Sequence, residues 1–285
     1  MWILFAFLSA LFAGITAILA KCGIKDTDAT AATAIRTVVV LIMSFIVAAA
    51  AGSLETVFAI EARTWGFLIL SGLATGASWL CYFKALQLGE INKVVPVDKA
   101  SVILTMLFAF IFLKESISWG KGICIVLIAV GTYLMLGRKP SQQKEEGKSW
   151  LLYAIGSAVF AALTTILGKI GIEGVESNLG TAIRTAVVLV MAWFMVFVTG
   201  GASRLKKTPK RELVFICLSG LATGASWLCY FKALQSGPAS IIVPIDKLSI
   251  LVTVTFSYFV FHEKLSGKSA FGLILITAGT LGMLV

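Results

Sequence analysis

The side chains able to do chemistry come in matched pairs, each set in an apolar stretch. Asp98-Lys99 and Asp246-Lys247 put an acid beside a base, and Arg36 and Arg184 precede the apolar runs Val38 to Met43 and Ala186 to Met191. A charge held in surroundings this apolar is costly, so one that persists must face protein partners or water. On a helix, adjacent side chains diverge by about 100°, so Asp98 and Lys99 cannot close one tight pair and each needs a different partner. One arrangement is an ion pair between Asp98 and Arg36, repeated as Asp246 with Arg184, which fixes packing and leaves Lys99 and Lys247 free. In another, the lysines and the carboxylates line a path for a charged small molecule. The two are compatible. Lys84 and Lys232 stand close enough to helix ends to reach water along their own stems.

Aromatic residues form a second set. Trp79, Tyr82 and Phe83 have the i, i+3, i+4 spacing of one helix face, and Trp227, Tyr230 and Phe231 repeat it. Such a stripe serves packing or an interfacial belt, or else stacks on a ring or cages a cation. Pro96 and Pro244 each stand two residues before an Asp-Lys pair. Lacking an N–H, they are expected to break the helix there and loosen the bonds to the carbonyls of Asn92 and Ser240. A break of this kind is tolerated in a membrane where the freed backbone is buried in protein or lines a wet cavity. Gly72 with Gly76, and Gly220 with Gly224, have the small-xxx-small spacing that lets helix backbones approach closely.

Other chemistries lack their residues. There is no GxxxxGK[ST] loop for nucleotide phosphates and no metal-ligand spacing, and His262 is the only histidine. The five cysteines form no CxxC pair and read as small packing residues. No cofactor is expected. The net charge of +10 sits mainly in short basic segments beside apolar runs, where it meets lipid headgroups rather than nucleic acid.

The elements that hold these residues repeat as well. Ser71 to Gln87 and Ser219 to Gln235 are the same seventeen residues, SGLATGASWLCYFKALQ, and the offset of 148 holds without a gap from Trp2/Trp150 to Gly137/Val285. The composition is 59% hydrophobic and only 13% charged, against roughly 25% charged in soluble domains. Mean hydropathy is +0.97. The chain therefore reads as an all-α integral membrane protein. Apolar runs near the roughly 20 residues that a span requires fall at about 2–20, 30–51, 65–87, 94–113 and 119–137, then 150–168, 179–199, 212–234, 239–261 and 267–285. The first run has no basic leader, and its copy lies mid-chain, so it is a retained helix and not a signal peptide. This makes ten transmembrane helices in two five-helix repeats, 1–137 and 150–285, joined by a polar linker at 138–149. An odd number of crossings inverts the second repeat, and inverted repeats suit alternating access to a central site.

The "YFKALQ" ending of each third span, with "VVPVDKASVILTMLFAFIFLKE" and "IVPIDKLSILVTVTFSYFVFHEKL" in the fourth and ninth, resembles the EamA-type branch of the drug/metabolite transporter superfamily over essentially the whole chain. The resemblance implies a ten-helix bundle with a central polar cavity and peripheral fifth and tenth helices. It also implies export or exchange of small metabolites without ATP, through a multi-pass protein of a prokaryotic inner membrane. The expected site combines Lys99, Lys247, Asp98, Asp246, Arg36, Arg184, Trp79, Trp227, Tyr82 and Tyr230, between the third and fourth spans and their copies. Its charge balance leans toward anionic substrates. Quaternary amines, or an enzyme or scaffold acting on lipid-linked substrates, are the alternatives, and a homodimer is left open. The resemblance puts both termini in the cytoplasm, whereas the basic residues Arg138, Lys139, Lys144, Lys148, Arg204, Lys206, Lys207, Lys210 and Arg211 favour the opposite face.

Overall fold

Apolar runs of this length leave the backbone only its own carbonyls as partners, and the regular elements among the described residues are all helices. The computed structural model describes residues 1–24, 27–88, 94, 97–116, 118–135, 149–200, 208–260 and 266–284, with backbone only at 86, 87, 257 and 260. The break expected at Pro96 near Asn92, the linker up to Lys148, the basic residues 204–207 and His262 lie outside the described residues.

The first half forms α1 (Trp2–Gly23), α2 (Ala29–Ala50), α3 (Ala62–Leu88), α4 (Ser101–Leu113) and α5 (Trp119–Met135). The second forms α6 (Ser149–Gly171), α7 (Ser177–Val198), α8 (Lys210–Ser236), α9 (Ala239–Lys247), α10 (Ser249–Val260) and α11 (Gly267–Gly282). Among the described residues, seven segments are long and apolar enough to cross a membrane, counting α9 with the first part of α10 as one. The helices α4, α5 and α11 are apolar but shorter, and ten segments are reached only with them. The repeat extends to the caps. Asp28 accepts from the N–H groups of Thr30 and Ala31 to start α2, and its copy Glu176 accepts from Asn178 and Leu179 to start α7.

The halves do not pack as separate bundles. The helix α1 lies on α8, α9 and α10 of the other half, and α6 lies on α3 and α4, so each first span seats against the third and fourth spans of the opposite repeat. The helices α2 and α7 pack on each other and on α8 and α3. The bundle has a terminal face, where α1 begins and α8 passes to α9, and a linker face, where α5 ends and α6 begins.

Glycines set the close approaches. A Cβ on Gly72 would lie 2.9 Å from the Arg184 carbonyl, and one on Gly76 would lie 2.5 Å from the Met191 Cβ; Gly220 and Gly224 meet Arg36, Val39 and Met43 in the same way. Gly76→Val should therefore force α3 off α7. Overpacking of this type costs about 1–3 kcal/mol, and a lowered melting temperature in detergent is the expected readout. The helices α5 and α11 pair through Gly131, Gly272 and Gly279, and their outer faces, with Ile123, Val126, Phe271 and Ile274, are exposed.

Candidate functional site

Two polar clusters related by the repeat lie where the halves cross. Ser157 of α6 donates to Asp98 Oδ1 at 2.7 Å, and Ser78 of α3 donates to the Ser157 carbonyl at 3.0 Å. Their copies do the same: Ser9 of α1 donates to Asp246 Oδ1 at 2.7 Å, and Ser226 of α8 donates to the Ser9 carbonyl at 3.1 Å. The hydroxyls within each serine pair are 3.3 Å apart. Each carboxylate is thus held by a hydroxyl from the other half, which replaces part of its lost hydration. Tyr82 is within Coulomb range of Asp98, as Tyr230 is of Asp246.

The charges of the lysines beside these carboxylates act on each other. Lys99 Nζ is 3.9 Å from Asp98 Oδ2, a loose contact consistent with the divergence of neighbouring side chains, and its side chain is 52% exposed. Its ammonium is within Coulomb range of Lys247, a half-buried residue at the C-terminus of α9. Two like charges so placed repel each other unless an anion or solvent stands between them.

The expected ion pairs of Asp98 with Arg36 and of Asp246 with Arg184 are not formed. The helix α7 packs chiefly on α2, α3 and α8, whereas α9 packs on α1 and α4, so Arg184 and Asp246 ride on helices that are not close neighbours. Arg184 instead turns into α3 and α8. Its Nε donates to Ser71 Oγ at 3.3 Å and its Nη2 to Thr75 Oγ1 at 3.0 Å. The guanidinium lies 4.4 Å from the ring centroid of Phe231 and 5.2 Å from that of Trp227. Only 2% of the residue is exposed, and hydroxyls and ring faces solvate the charge in place of water. The copy behaves differently. Arg36 is half-buried and makes no hydrogen bond or ion pair with any described residue, while Ser219 donates to its own helix at the Ile216 carbonyl and Thr223 reaches Thr16.

The terminal face carries further ties around Arg184. Tyr230 OH is 3.1 Å from Thr165 Oγ1, and Gln235 Nε2 donates to the carbonyls of Ile172 and Val175, each at 2.8 Å. Glu115, just past α4, accepts from the N–H groups of Ala239 (2.7 Å) and Ser240 (2.9 Å) at the start of α9. Lys169 lies 3.7 Å from Glu115 and also donates to the carbonyls of Leu234 and Gly237. Lys232 is 3.9 Å from Glu176, whereas its copy Lys84 is exposed. Trp79 packs partly buried beside Ala34 and Ala192.

In the second half the helix break also falls elsewhere than expected. The helix α9 runs through the buried Pro244, whose fixed φ suits it, and ends at Lys247. A tight turn follows, with Leu248 N donating to Ile245 O at 2.9 Å; in the first half Ala100 N donates to Val97 O at 3.1 Å. The interruption therefore lies directly after each Asp-Lys pair. Ser9, Ser157, Ser78, Ser226, Thr75 and Glu115 were not singled out from the sequence. Identity across the repeat was the available signal for the four serines, since a hydroxyl retained in both copies of an apolar span has a reason to be there.

Among the described residues, no three His, Cys, Asp or Glu side chains converge as a metal site requires. The EamA-like transporter family matches residues 1–137 and 148–285, almost the whole chain in two copies. An uncharacterized transporter from a Sinorhizobium species is 44% identical over 134 residues, 47% of this chain and 95% of that relative, which is thus little longer than one repeat. An S-adenosylmethionine uptake transporter of Rickettsia conorii is 25% identical over 75% of this chain and 69% of its own length. Human solute carrier family 35 member G1 is 27% identical over 76% of this chain and 61% of its own length. A solved crystal structure superposes with a TM-score of 0.78 over 98% of this chain and 95% of that one, at 14% identity, so the fold is shared. With the same family matched in each half and the Asp-Lys pairs set where those halves interlock, this chain is a multi-pass membrane transporter of the EamA-like family within the drug/metabolite transporter superfamily.

Proposed function

We propose that the protein is a secondary transporter of a prokaryotic inner membrane, exporting or exchanging a small, preferentially anionic metabolite by alternating access. The unequal state of the two arginines carries the reading. Thr33–Thr37 and Thr181–Thr185 are the same five residues, TAIRT, yet Arg184 is locked into α3 and α8 while Arg36 is not. One sequence in two settings is what an inverted repeat has when one face is sealed and the other is not. In the opposite state Arg36 takes Ser219 and Thr223 and lies on Trp79 and Phe83, and Arg184 lets go.

The charge lean follows from the same geometry. Lys99, Lys247 and Arg36 stand against Asp98 and Asp246, and each carboxylate already accepts from a serine. A carboxylate or phosphate on the substrate is the group that relieves the repulsion between the lysines. Asp98 and Asp246 are the carboxylates placed to carry a coupling proton. The competing reading, a cationic substrate caged by Trp79 and Trp227, is weakened because Arg184 already occupies the Trp227 ring. The name of the Rickettsia relative keeps it in view, since S-adenosylmethionine carries both a sulfonium and a carboxylate.

Reconstitution in liposomes with a panel of labelled organic anions and quaternary amines, with and without an imposed pH gradient, tests this. The expected result is preferred anion uptake whose pH-driven component is lost in Asp98→Asn, Asp246→Asn. Preferred uptake of quaternary amines would overturn the charge assignment, and a pH-driven flux that survives both substitutions would overturn the coupling role.

A further inference from the structure

A cleft of about 190 Å³ opens between the beginning of α4 and the end of α5, with Lys99, Ala100, Val102, Ile128 and Ala129 in its lining. It adjoins the Asp-Lys pair on the side of α5, and its lining residues other than Lys99 have no part in the site described above. Its walls are mostly aliphatic, with the half-exposed Lys99 side chain among them. Four lining positions differ in size between the halves: Ala100, Val102 and Ala129 stand where the second half has the larger Leu248, Ile250 and Thr277, whereas Tyr133 stands where it has the smaller Leu281, and the balance leaves more room in the first half. The scale also fits a specific occupant, because a dry cavity of about 150 Å³ lined by aliphatic and aromatic side chains holds a benzene ring.

We propose that this cleft is a subsite for a ring-sized apolar group of the substrate, an organic anion whose carboxylate or phosphate is held by Lys99. The assignment rests on the anionic reading above and adds an apolar requirement to it. The anion bridges Lys99 and Lys247 while the apolar group turns aside between α4 and α5. The two halves then hold the substrate asymmetrically, with one orientation preferred.

The test uses the full chain in liposomes, with labelled phenylacetate and acetate as probes of equal charge and different apolar bulk. Ala129→Leu fills the cleft from α5, and Ala100→Leu fills it from the other side with the residue that the second half itself carries. The wild type is expected to take up phenylacetate about tenfold better than acetate, and either variant should remove that preference while acetate uptake persists. A preference unchanged in both variants, or none in the wild type, overturns the subsite while leaving the anion reading intact. Uptake of neither probe overturns the anionic reading and the subsite with it. Native mass spectrometry showing a phospholipid retained by the wild type and lost from Ala129→Leu would make the cleft a lipid seat and overturn the proposal.

Discussion

Lys99→Ala combined with Lys247→Ala is expected to abolish uptake while the protein inserts normally and keeps its melting temperature. The two ammonium groups lie within Coulomb range of each other, and Lys99 makes only a 3.9 Å contact with Asp98. Each carboxylate keeps a hydrogen-bond partner when the lysines are removed, since Asp98 accepts from Ser157 and Asp246 from Ser9. Their removal should therefore cost little stability, and it relieves a repulsion. A hydrogen bond from a charged group contributes about 1.5–3 kcal/mol, or roughly 10- to 100-fold per lysine in transport, if a substrate anion accepts it. Lys84→Ala and Lys232→Ala serve as controls with expected losses of less than about threefold, because one is exposed and the other makes contacts of the weak, surface type. Wild-type transport by the double variant would show both lysines to be idle.

Arg184→Ala should open the terminal face. Two hydroxyl partners and two ring faces surround the guanidinium, and together such contacts amount to about 4 kcal/mol or more before the cost of burying the charge. Conformations of a transporter differ by a few kcal/mol, so a loss of that size decides which one is populated. With Ser71→Cys as a reporter in a background free of native cysteines, labelling by a membrane-impermeant maleimide from the terminal face should accelerate about tenfold or more. Arg36→Ala, which removes no hydrogen bond to a described residue in this state, should leave labelling at position 71 nearly unchanged. Equal reactivity in all three backgrounds would remove Arg184 from the seal.

Much of this architecture is legible in the sequence because a duplicated chain reports on itself. The identity of Ser71–Gln87 with Ser219–Gln235 locates α3 and α8, and the odd number of apolar runs implies the inversion that the crossed packing of α1 on α8 and α6 on α3 accommodates. The charged residues could be found, but their partners could not. Complementary charge suggested Asp with Arg, yet which helices touch is a tertiary fact, and the carboxylates went to serines that resemble ordinary small packing residues. Pro244 marked the right helix but not the place of its interruption, which depends on the turn at Leu248. The difference between Arg36 and Arg184 was beyond reach in principle, since identical flanks cannot encode which of two states a molecule occupies.

The crossed packing bears on how the chain comes to be made. Ser9 emerges from the ribosome well before the Asp246 that it serves, which follows 237 residues later, and Ser226 arrives only with α8. Until then α1 waits in the bilayer without its polar partner. Contacts this distant in sequence make assembly slow, because a long loop must close before any of them is rewarded. The interval favours an encounter with whatever complementary surface is nearby, including the inverted half of another molecule. The covalent linker answers this by keeping the proper partner tethered at high effective concentration, so that its contribution is to the fidelity of assembly rather than to the finished site.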